Sequence, residues 1–165
     1  MLFGFNAEEI FDMAVTIEEN GHKFYEKAKA CVADENVKRL FQELAEEELK
    51  HRKRFQELKS QIPQDVKGGG VYDPDNEVTM YLKMMANEHV FRKSEGVSDK
   101  VCSIKSTEEA LKLAIQFEKD SIIFFLTMKD HTESPKGKEL VDLLIKEEQE
   151  HLRQLTVTLG NLKKQ

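Results

Sequence analysis

At two places one hundred residues apart, this chain puts a glutamate and a histidine where the pattern around them requires apolar side chains. The first run reads Val37, Phe41, Leu44, Glu48, His51, Phe55, Leu58; the second reads Val141, Leu144, Glu148, His151, Leu155. Spacings of three and four mark one helix face turned toward a core. Two further glutamates share this position. Glu18 lies in a stripe with Phe11, Tyr25 and Val32, and Glu118 in one with Leu111 and Phe125.

An unpaired carboxylate in an apolar interior costs several kcal/mol or more. Four close together also repel one another. They must take up protons, pair with cations or bind metal, and no lysine or arginine lies on these stripes near them. Metal is the remaining explanation, and four carboxylates balance two divalent ions. Glu-x-x-His sets both groups on one helix face a turn apart, able to grip one ion together.

One such pair is weak evidence, since a chain this rich in glutamate yields about one by chance. Glu19 with His22 is a third pair and reads as incidental. The repeat is what chance does not supply. Thirty residues separate Glu18 from Glu48, and thirty separate Glu118 from Glu148. The offset of one hundred also pairs His51 with His151, Phe24 with Phe124, Tyr25 with Phe125, Leu44 with Leu144 and Glu47 with Glu147. This pattern reads as a duplicated helical hairpin whose halves meet at a pseudo-twofold axis.

The rest of the chain agrees with an all-α fold. Charged residues make up 34% and apolar residues 39%, well interspersed, with three prolines. Asn6 with Glu9, and Ser106 with Glu109, resemble capping boxes. A first helix carries Ile10, Ala14, Ile17, Gly21, Phe24, Ala28 and Cys31. A break near Ala33 to Asn36 precedes the second, which continues to Ile62 before Pro63 and Gly68–Gly70. The third carries Ala110, Ala114, Phe117, Phe124 and Met128. Ser134 and Pro135 open the fourth, which carries Leu162 toward its end. Residues 64–105 connect the pairs, with a shorter helix from Glu77 to about Arg92 bearing Tyr81, Met84, Met85 and Phe91. The expectation is a single domain over 1–165, a ferritin-like four-helix bundle with hairpins at about 7–61 and 107–161 and a long crossover at 62–106 holding a short extra helix. An up-down bundle with an extra helix is the alternative.

A net charge of −6 argues against nucleic acid as a partner. The cluster of Lys50, Arg52, Lys53 and Arg54 reads as a solvated helix face. No apolar run reaches membrane-spanning length. Cys31 and Cys102 form no Cys-x-x-Cys pair and read as structural thiols in a reducing cytoplasm. Met80, Met84 and Met85 read as packing residues. His89 and His131 have no partner at ligand spacing, and His22, a turn after Glu18, is a candidate neighbour of the metal.

On these residues the chain resembles the rubrerythrin branch of the ferritin-like superfamily. The matching pieces are Glu18 with Phe24–Tyr25, Leu44-Ala45-Glu46-Glu47-Glu48 through His51, Glu118 with Phe124–Phe125, and Glu147–Glu148 through His151. The resemblance implies a carboxylate-bridged site of two iron ions; the mixed carboxylate and imidazole ligation leaves manganese or zinc as alternatives. Glu48 and Glu148 would bridge, while Glu18 with His51 and Glu118 with His151 would be terminal ligands. It further implies an oxidoreductase that reacts with hydrogen peroxide or dioxygen, by peroxide reduction or as a ferroxidase, in oxidative stress. The family's four-cysteine rubredoxin domain is not found here, so a rubredoxin-like protein is the expected separate electron donor. Ser121 stands where the family has a further glutamate, and Phe125 where it usually has tyrosine. Tyr25 is the candidate catalytic residue, to bond a ligand glutamate or relay an electron; the plainer reading is a core tyrosine with a satisfied hydroxyl. Non-catalytic iron storage and a metal-stabilised structural protein are the competing functions. The wide stripes and long crossover point to a homodimer.

Overall fold

The computed structural model describes residues 7–61, 75, 77–89, 101, 103–133 and 135–164. Among them run α1 (Ala7–Ala28), α2 (Glu35–Ser60), α3 (Glu77–Glu88), α4 (Thr107–Asp130) and α5 (Pro135–Leu162). Local chemistry sets several of the ends. Asp34 caps α2, its carboxylate accepting from the amides of Asn36 at 2.8 Å and Val37 at 3.1 Å. Ser106 caps α4 by accepting from the Glu109 amide at 3.2 Å. The capping box there is displaced, because Glu109 accepts from the amide of Lys105 rather than of Ser106. Pro135 opens α5, where a missing N–H costs nothing.

The turn from Lys29 to Asp34 folds α2 back on α1, and the short connection that follows Asp130 folds α5 back on α4. Equivalent bridges tie the two hairpins near their turns, Lys29 with Gln42 in the first and Lys129 with Asp142 in the second. Backbones approach closely within each hairpin and only locally between hairpins. Side chains fill the space between them. Phe11, Phe55 and Phe125 form one aromatic layer, with ring centroids 6.2 and 5.0 Å apart. Tyr25, Phe41 and Phe117 form another, at 5.4 and 6.0 Å. Burial follows the repeat: Ala14 and Ala114, Phe24 and Phe124, Leu44 and Leu144, and Phe55 and Leu155 are all in the core.

The short helix α3 packs against α1 and α4. Its inward face differs from the expected one. Thr79, Leu82, Ala86 and the following His89 are buried, while Met80, Tyr81 and Met84 are about half exposed. The buried set also has the spacing three, four, three, but it mixes polar with small residues, so large apolar side chains outweigh it in a hydropathy reading. Cys31 is exposed because α1 ends three residues before it. Asn6, Ile62, Pro63, the three glycines, Phe91, Arg92, Cys102 and Ser134 lie outside the described residues. No helix among the described residues is long and apolar enough to cross a membrane.

Gly21 marks a close approach between the hairpins. A Cβ there would lie 2.4 Å from Cζ of Phe117 and 3.0 Å from Oε2 of Glu48. Gly160, by contrast, has nothing within 4 Å of that position. Gly21→Ala should therefore lower stability by about 1–3 kcal/mol through overpacking. Gly160→Ala should raise it by roughly 0.5–1 kcal/mol through helix propensity. Thermal unfolding of the two variants beside the wild type checks both; equal shifts would contradict the packing.

Candidate metal centre

Each of the four long helices delivers one glutamate to a common point, and α2 and α5 each add a histidine one turn later. Glu18, Glu48, His51, Glu118 and Glu148 are fully buried, and His151 is 5% exposed. The six form two groups, Glu18–Glu48–His51–Glu148 and Glu48–Glu118–Glu148–His151. Within each, one ligating atom per residue lies within 4.8 Å of all the others. Glu48 and Glu148 belong to both groups. Nδ1 of His51 is 2.6 Å from Glu148 and 3.3 Å from Glu18. Nδ1 of His151 is 3.2 Å from Glu148, 3.7 Å from Glu118 and 3.8 Å from Glu48. The two imidazoles stack, 5.5 Å between centroids and 16° between planes.

The hydrogen-bond inventory of this cluster is short of donors. Both oxygens of Glu18, both of Glu48, Oε2 of Glu118 and Oε1 of Glu148 are buried without a hydrogen-bond partner. Orphaned buried acceptors are rare in proteins. Here they converge with two imidazoles, a donor set suited to iron, manganese or zinc. The residues thus fit a metal centre, where a cation would take the place of the missing donors.

The protonation pattern of the cluster carries the same strain. Burial pushes the Glu118 carboxyl up to about 8, and Glu148 adds to the push. Burial, then Glu18, Glu148 and Glu118, drives Glu48 well above the usual range. Burial and Glu148 raise Glu18. Glu148 goes the other way: burial opposes its charge, but His51 and His151 hold it well below the usual range. Burial opposes charge on both histidines too, yet Glu148 and Glu147 lift His51 well above its usual value. Glu118 and Glu148 bring His151 up to about 10. Without metal, protons do the work of cations.

Other residues singled out from the sequence fall around this centre. The hydroxyl of Tyr25 donates to Oε1 of Glu118. His22 is in neither ligand group and bonds the carbonyl of Ala45 on α2 at 2.8 Å. Glu19 pairs with Lys23 at the surface. Ser121 is buried and its hydroxyl meets Nε2 of His89 at 3.0 Å. The His89 ring stands edge-on to Phe117, and burial lowers its pKa to about 3, so it is neutral. Sequence spacing missed His89 because it comes from the crossover, with no ligand partner on its own helix. A pocket of about 360 Å³ opens beside His151, its rim carrying Glu43, Glu47, Glu147 and Glu150.

The sequence model of the rubrerythrin family matches residues 9–159. Among solved structures, a ferritin-like diiron-carboxylate protein from Thermotoga maritima is 27% identical, with a TM-score of 0.70 over 93% of this chain and 94% of that one. The curated proteins yield no match.

Ligation requires deprotonated imidazole and carboxylate, whereas Glu118 keeps its proton below about 8 and His151 below about 10. Metal binding should therefore release protons, and affinity should rise with pH. Between about pH 6 and about pH 8.5 the gain should be about tenfold or more. Manganese titrations in buffers of differing ionisation enthalpy measure both quantities. An affinity flat across that range would contradict the protonation pattern.

Proposed function

The chain belongs to the rubrerythrin family, and on that premise we propose that it is a di-iron oxidoreductase that reduces hydrogen peroxide or dioxygen. The observation that carries this reading is the sharing of Glu48 and Glu148 between two overlapping ligand groups. Two ions in these groups would be bridged by the shared carboxylates. Glu18 with His51 would complete one position, and Glu118 with His151 the other. When bound, a pair of ferrous ions supplies two electrons, enough to reduce one hydrogen peroxide with two protons to two waters.

The chain's own side chains prepare the place for that chemistry. The carboxylates of Glu48 and Glu148, shared by both groups, carry negative charge that would stabilise a ferric state electrostatically. Tyr25 holds Glu118 in one orientation through its hydroxyl. The aromatic layers above and below the cluster exclude bulk water from it. The pocket beside His151 is the route for a small oxidant to reach the buried groups. On this reading Tyr25 also relays an electron to the cluster, its hydroxyl bonded to Glu118. We assign the electrons that restore the ferrous state to a donor such as a rubredoxin-like protein.

Rapid mixing of the ferrous protein with peroxide, and separately with oxygen, tests the activity. Diferric absorption should form as about one peroxide disappears per two irons. A ferrous protein unchanged by both oxidants would end the proposal. Glu48→Ala and His151→Ala should each lower bound metal sharply, while Glu19→Ala should leave it unchanged. Equal losses in all three, read by elemental analysis, would undo the ligand assignment.

A further inference from the structure

The two halves of the metal centre look alike in sequence but are supported differently in the fold. Arg54 and Gln154 occupy corresponding positions in the repeat, as do Glu147 and Glu47. Arg54 on α2 pairs with Glu147 on α5. Glu147 in turn sits 2.9 Å from Nε2 of His51, at ion-pair distance though off the ring N–H axis. The mirror arrangement does not form. Glu47 pairs with Lys50 on its own helix, and Gln154 bonds Glu150. Among the described residues, no carboxylate forms an ion pair with Nε2 of His151 as Glu147 does with His51. The tyrosine breaks the symmetry as well: Tyr25 donates to Glu118, whereas its counterpart Phe125 has no hydroxyl to offer Glu18.

Both differences act in the same direction. A carboxylate behind an imidazole raises its basicity as a ligand and fixes its orientation. A hydroxyl bonded to a ligand carboxylate withdraws charge from that carboxylate. The position at Glu18 and His51 thus has the stronger donors, and the position at Glu118 and His151 the weaker. We propose that the two positions bind divalent cations unequally, that the one at Glu18 and His51 fills first, and that Glu147, braced by Arg54, is the positioning residue that sets the difference.

This inference rests on the metal-centre reading above, and its test separates the two. Manganese is titrated into the apo form of the full chain, and free ion is followed by electron paramagnetic resonance. The wild type should bind two ions in two resolved steps. Glu147→Ala should weaken the tighter step by about 10–100-fold and leave the weaker one in place. Arg54→Gln, which gives this half the residue of the other, should cause a smaller loss in the same step. Glu47→Ala should move neither. Thermal unfolding of the apo variants controls for folding, which a partly exposed carboxylate should hardly disturb. If Glu147→Ala leaves both steps unchanged, or if Glu47→Ala has the same effect, the inference is overturned while the metal centre stands. A wild type that binds fewer than two ions overturns both.

Discussion

The middle of this bundle has to hold more negative charge than protein alone can neutralise. Four carboxylates converge there from four helices, with two imidazoles as the nearby counter-charges. Inside a low-dielectric core such a group is tolerated only if something cationic joins it. Much of the surrounding architecture follows from that demand. Aromatic layers close the bundle on either side of the cluster. Gly21 lets Phe117 and Glu48 approach where a larger residue would push them away.

The duplication explains how a chain of 165 residues assembles such a centre. One hairpin supplies two glutamates and a histidine, half of what is needed. A second copy, rotated about an axis through the cluster, supplies the rest. The halves have not stayed identical. Tyr25 corresponds to Phe125, Arg54 to Gln154, and Gly21 to Ser121. Each difference places a distinct group around one side of the centre, and Ser121 goes on to meet His89 from the crossover. A symmetric frame thereby carries an asymmetric environment.

The four long helices were legible because their apolar stripes run over twenty or more residues each, long enough for the period to dominate. Glu48, His51, Glu148 and His151 could be seen for the same reason, as interruptions of a regular seam. Glu18 and Glu118 were visible through the thirty-residue spacing to their partners. The short helix α3 was harder. Over twelve residues the large side chains Met80, Tyr81 and Met84 dominate the pattern. Yet it is Thr79, Leu82 and Ala86 that turn inward. His89 gave no signal because its partners, Ser121 and Phe117, lie some thirty residues away in another helix. Cys31 has the spacing of the stripe, but the helix ends at Ala28.

Periodicity and repeat spacing alone were enough to determine an all-α hairpin pair and the six side chains that meet within it. Both are properties of position along one helix, and helix geometry converts position directly into direction. What the sequence could not contain is how neighbours compete for those side chains across helices. Only the folded chain decides that Arg54 reaches Glu147 while Glu47 turns to Lys50, that His22 bonds a carbonyl, and that Tyr25 meets Glu118. Such choices depend on distances of a few ångströms between separate elements, which the packing of the whole bundle sets.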